Sequence, residues 1–138
     1  MKFIKNLFFL ALAVGLATGV ASCNKDDDDH DHHDNEITIR ILEPKANEKV
    51  ADASEVHIHI EVEASDENHE IEIVLYAHGD PSNKILDIDR HTHVKKFVFE
   101  QDIDLSSFPA GTEFHLEVEA CIDHDCDEKA EKHIDFTI

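Results

Sequence analysis

From Glu36 to the C-terminus, apolar and polar residues alternate with a period of two, the repeat of side chains that point to opposite faces of a β-strand. Ile37, Ile39 and Ile41 alternate with Thr38 and Arg40, and Pro44 to Asn47 then turn the chain. Val56, Ile58, Ile60 and Val62 alternate with His57, His59, Glu61 and Glu63 in the most regular stretch of all. Ile71, Ile73 and Leu75 follow, alternating with Glu72, Val74 and Tyr76, and Gly79-Asp80-Pro81-Ser82-Asn83 closes that strand with turn chemistry. Ile85 to Ile88 predict a short fourth strand, and Phe97 and Phe99 anchor a fifth. Leu105 to Gly111 reads as a loop. Phe114, Leu116, Val118, Ala120 and Ile122 mark a sixth strand, and Ile134, Phe136 and Ile138 point inward from a seventh.

Seven short strands in about 100 residues predict an all-β fold, an antiparallel β-sandwich with immunoglobulin-like or fibronectin-like connections. Phe108-Pro109-Ala110-Gly111, the long alternating strand after it and the closing hairpin to Ile138 resemble the sixth and seventh strands of bacterial domains of this kind. The chain departs from antibody domains in three ways. It has no Trp, Phe114 stands near the place of the corner tyrosine, and Cys121 and Cys126 are too close in sequence to bridge two sheets. An antibody-like function therefore does not follow from the fold.

The N-terminal residues break the alternation. Lys2 and Lys5 precede an apolar run from Leu7 to about Ala17, the layout of a secretory signal and too short to span a bilayer. Val20-Ala21-Ser22-Cys23 resembles the lipobox of bacterial lipoproteins, which implies removal of residues 1–22 and lipidation of Cys23. Residues 23–35 then offer no apolar side chain after the cysteine, so they are expected to form a disordered, solvated tether before a domain at 36–138. Its His30, His32 and His33 are suited only to loose cation binding, because ordering flexible ligands costs entropy. Lys25 to Asp29 resemble the acidic export signal of Bacteroidota lipoproteins, implying an outer-membrane anchor with the domain exposed at the cell surface. With His57-x-His59-x-Glu61, His78, His91-x-His93 and His115, the chain is similar to small histidine-rich Bacteroidota lipoproteins that carry one immunoglobulin-like domain. That family brings no established activity with it.

Charge narrows the partners. Asp and Glu number 32 against 12 Lys and Arg, a formal net charge of −20 with His neutral, and loss of Lys2 and Lys5 takes it to −22. Such a surface repels phosphate backbones, which argues against nucleic acid and favours cations or a basic protein partner. All 12 histidines lie beyond Cys23, so the surface charge changes near and below pH about 6.5.

The candidate chemistry follows from the histidines and cysteines. Outside the cytoplasm Cys121 and Cys126 are expected to form a disulfide, whose short loop is worth about 2 kcal/mol in the chain-entropy model. The alternative makes Cys121, His124 and Cys126 soft metal ligands, although their spacing matches no zinc-knuckle pattern. His57 and His59 share the outward face of one strand roughly 7 Å apart. Glu100 of the fifth strand is expected near His57, and Glu61 extends the same row. Two imidazoles with a carboxylate suit Zn²⁺, and also Cu²⁺ or Ni²⁺. His78 and His115, outward on the other sheet, form a second candidate. His69, His91, His93 and His124 map to turns at the pole nearest the tether, with Asp89, Asp123 and Asp125, and form a third. Haem capture by an exposed histidine is a lesser variant. No nucleophile elbow, phosphate loop or His-Glu-x-x-His helix is present, so catalysis has no support. The sequence reads as a surface lipoprotein binding module whose ligand is a divalent transition metal. The competing reading is a protein-interaction or adhesion module in which acidic faces meet a basic partner and the histidines only tune that contact with pH.

Overall fold

The computed structural model describes residues 35–138. The signal segment, Cys23 and the tether as far as Asp34 lie outside the described residues. The alternation becomes seven strands, β1 (Ile37–Glu43), β2 (Val56–Ala64), β3 (Glu70–Ala77), β4 (Lys84–His91), β5 (Lys96–Ile103), β6 (Glu113–Cys121) and β7 (Lys129–Thr137), with no helix among the described residues. They pair antiparallel in two sheets, ordered β1-β2-β5 and β4-β3-β6-β7. The chain crosses between sheets after β2, β4 and β5, giving the immunoglobulin-like sandwich that the sequence predicts.

The inward rows meet as one core. Val56, Ile58, Ile60 and Val62 of β2 are fully buried against Ile71, Ile73 and Leu75 of β3 and Leu116 and Val118 of β6. Each such side chain contributes about 1.5–3 kcal/mol through removal of apolar surface from water. Phe114 stacks on Phe136 with ring centroids 5.5 Å apart and receives Phe108 edge-on at 5.1 Å. Leu105, in the loop after β5, is also fully buried.

Beyond β1 the chain leaves the three-stranded sheet and reaches the edge of the four-stranded one. Asn47 N–H donates to Asp135 C=O, Val50 N–H to Thr137 C=O, and Thr137 N–H to Glu48 C=O, at 2.7–2.9 Å. The exposed edge of β7 is thereby covered.

Two boundaries differ from the hydrophobic pattern. β4 continues past Ile88 to His91 because its backbone remains paired with β3 as far as Glu70↔His91; hydrogen bonds extend the strand where apolar residues stop. β6 ends at Cys121, and Ile122 enters the following loop, where its N–H donates to Glu128 C=O. The loops 65–69, 92–95 and 122–128 share one pole with Asn35, because β2, β4 and β6 end there while β1, β3, β5 and β7 begin.

Candidate metal centre

Polar side chains bind those three loops together before any ligand is considered. Asn68, with no exposed surface, donates its amide NH₂ to the carbonyls of Val94 at 2.8 Å and Lys95 at 3.2 Å. Its backbone N–H also donates to Val94 C=O, and Thr92 N–H donates to His69 C=O. The β2–β3 turn is thus clipped to the β4–β5 loop. Asn35 donates its amide NH₂ to Glu67 C=O at 2.7 Å and to Ile122 C=O at 3.0 Å, and its Oδ1 accepts Asp66 N–H. This second clip joins the β2–β3 turn to the β6–β7 loop. Asn35, assigned to the tether from composition, is hydrogen-bonded into the domain.

Four imidazoles gather above the clips in a closed circuit. Ring centroids are 5.9 Å apart for His69 and His93, 4.9 Å for His93 and His91, 6.4 Å for His91 and His124, and 5.6 Å for His124 and His69. Glu67 Oε1 lies 3.4 Å from His93 Nδ1 and 3.9 Å from His69 Nδ1. His69 is the most enclosed of the set, its side chain 14% exposed. Its Nδ1 is buried without a hydrogen-bond partner, so a lone pair or N–H there is left for another group. The donor atoms of Glu67, His69 and His93 all lie within 4.8 Å of one another. Two imidazoles and one carboxylate, with two further imidazoles alongside, are a donor set for Zn²⁺, Cu²⁺ or Ni²⁺.

The row that the sequence favours first is arranged differently. His57 and His59 do lie side by side on β2, ring centroids 6.2 Å apart and edge-on. Glu100, however, stands opposite His59 in the β2–β5 ladder, and Asp102 stands opposite His57. Each imidazole accordingly has its own carboxylate: Asp102 Oδ1 is 2.7 Å from His57 Nδ1, and Glu100 Oε1 is 3.4 Å from His59 Nε2. The hydrogen bond to Asp102 raises the His57 pKa above its ordinary value; desolvation, the next largest influence, opposes the rise, and the charges of Asp102, Glu43 and Glu100 add to it. Glu61 is held by Lys96 Nζ at 2.8 Å and Arg40 at 3.6 Å, and its pKa is lowered chiefly by the Lys96 hydrogen bond. Among the described residues, the threesomes whose donor atoms converge within 4.8 Å are Glu67–His69–His93 and Glu117–Glu119–Glu131. Neither includes His57 or His59.

The second candidate pair is divided. His78 Nδ1 faces Glu113 at 3.9 Å. His115 lies between Tyr76 and His133, with both ring centroids 5.0 Å away, and its Nδ1 is 2.7 Å from Asp135. Glu117–Glu119–Glu131 belongs to an outward acidic face in which Asp89, Glu72, Glu119 and Glu131 stand opposite one another across all four strands. Lys84 and Lys129 offset this row, at 3.3 Å from Glu72 and 2.6 Å from Glu119.

Cys121 and Cys126 are joined in a disulfide with Cα atoms 4.9 Å apart, so their sulfurs are bonded to each other rather than offered as ligands. Asp123 turns the closed loop: its C=O accepts Cys126 N–H and its carboxylate accepts Asp127 N–H. Sequence reading missed Glu67, Asn35 and Asn68. For Glu67 a signal was available, since Glu67-Asn68-His69 places a carboxylate two residues from a turn histidine. Scanned against protein-family models the chain matches none, and a search of curated proteins finds no matching sequence.

Proposed function

We propose that this domain is a binding module that captures a divalent transition-metal ion at the pole where its chain enters. His69, His93 and Glu67 are the inner donors, and His91 and His124 complete the coordination. The observation that carries this reading is the closed circuit of four imidazoles drawn from three chain segments, with Glu67 beside His69 and His93 and with His69 Nδ1 buried and unpartnered. The Asn35 and Asn68 clips hold the loops beforehand, so less conformational entropy is lost when the ion binds. Borderline ions suit imidazole with one carboxylate: Zn²⁺, Cu²⁺ and Ni²⁺. The lipobox resemblance at Val20 to Cys23 and the acidic stretch after it support a lipid-anchored protein displaying this module at the outer membrane surface. The role is binding rather than catalysis.

Calorimetric titration of the purified protein with Zn²⁺ tests the reading. Micromolar or tighter uptake is expected, lost in His69→Ala with His93→Ala and kept in His57→Ala with His59→Ala. No heat at millimolar Zn²⁺ would remove the proposal.

A second reading is favoured by the acidic row Asp89–Glu72–Glu119–Glu131, which suits a basic protein partner on the four-stranded sheet. It predicts salt-sensitive association that is indifferent to the histidine substitutions.

A further inference from the structure

We infer that the Cys121–Cys126 disulfide sets the metal affinity of the four-histidine pole by holding His124 in the circuit. The inference rests on the metal-binding reading above and concerns its regulation. His124 lies inside the ring that the disulfide closes, and it reaches His69 and His91 from there. The other loops are held by side-chain and backbone hydrogen bonds across the pole. Residues 123–126 are not: among the described residues, no hydrogen bond joins them to another loop, and the clip from Asn35 stops at Ile122. Cys126 also sits at φ 59°, the left-handed region that a side chain with a Cβ disfavours. Cys126 N–H to Asp123 C=O and Asp127 N–H to the Asp123 carboxylate shape the turn from within, and the covalent link ties its Cys126 end back to the end of β6 at Cys121. Reduction is a balanced exchange. A dithiol's thiolate attacks the more exposed Cys126 sulfur, its second thiol resolves the mixed disulfide, and two electrons and two protons leave Cys121 and Cys126 as thiols and the reductant as a disulfide. Cys126 then relaxes out of the left-handed region and carries His124 away from His69 and His91.

The test is Zn²⁺ titration of the oxidised protein, of the same protein reduced by a phosphine and alkylated with iodoacetamide so that its thiols offer no ligand, and of Cys121→Ser with Cys126→Ser, each with and without His124→Ala. Far-UV circular dichroism checks that each species is folded, and the reduced wild-type chain serves if the serine variant is not. Reduction and the serine pair are each expected to weaken binding about tenfold, the scale of losing support for a ligand. His124→Ala is expected to cost about tenfold only where the disulfide is intact. Equal or tighter binding after reduction, or an equal His124→Ala penalty in every background, overturns the inference and leaves the metal site standing. Absence of Zn²⁺ uptake by the oxidised protein overturns both.

Discussion

Asn68 donates its side-chain amide to the carbonyl of Val94 at 2.8 Å from a fully buried position, and that bond sets where His69 and His93 stand relative to each other. Replacing it by alanine leaves the carbonyls of Val94 and Lys95 without that amide. Asn68→Ala is expected to destabilise the fold by about 1–3 kcal/mol in urea denaturation. Zn²⁺ affinity should fall as well, since the two inner imidazoles keep only the backbone bonds from Asn68 N–H to Val94 C=O and from Thr92 N–H to His69 C=O as common support. Unchanged binding in this variant would show that the clip does not position the ligands.

His57 provides a pH test separate from the metal. Its pKa is raised from the ordinary 6.5 chiefly by the hydrogen bond to Asp102. A raised folded value means that this stabilisation is fully present below pH 6.5 and is lost as pH rises through the folded pKa. NMR titration of the His57 ring proton should give a midpoint above 6.5, which Asp102→Asn moves down. A midpoint indifferent to Asp102→Asn would contradict the contact.

The core makes a larger claim. Phe114 is fully buried between Phe108 and Phe136. Phe114→Ala removes both aromatic contacts and opens a cavity, so it is expected to cost about 3–5 kcal/mol in thermal or chemical unfolding. A loss below 1 kcal/mol would mean that the two sheets collapse over the gap.

Like charges opposite one another in a ladder are destabilising, and Glu131 adds its charge to the row of Asp89, Glu72 and Glu119. Glu131→Lys is expected to stabilise the fold by about 0.5 kcal/mol. Added salt should raise the melting temperature of the wild-type chain more than that of the variant, because screening relieves the same repulsion. Equal salt responses would place the strain elsewhere.

The sandwich was legible because burial on one face forces a period of two, which β2 keeps throughout and β6 keeps as far as Ala120. Register between β2 and β5 was less legible. These strands are distant in sequence, so no turn fixes their alignment, and Glu100, expected near His57, stands opposite His59 while Asp102 stands opposite His57. The pole that holds His69, His91, His93 and His124 could be read from strand direction alone. Its selection over the His57 row could not, because the deciding residues, Glu67, Asn35 and Asn68, are polar positions in turns where no periodicity reports. Val74 shows the same limit from the other side: its parity is outward, yet it is buried on the outer face of β3.

The clips made by Asn35 and Asn68 separate the scaffold from its chemistry. Transplanting the four histidines into the loops of an unrelated sandwich would move the donors without their fasteners, and the grafted loops would drift apart. A portable version of this pole has to carry both asparagines with it.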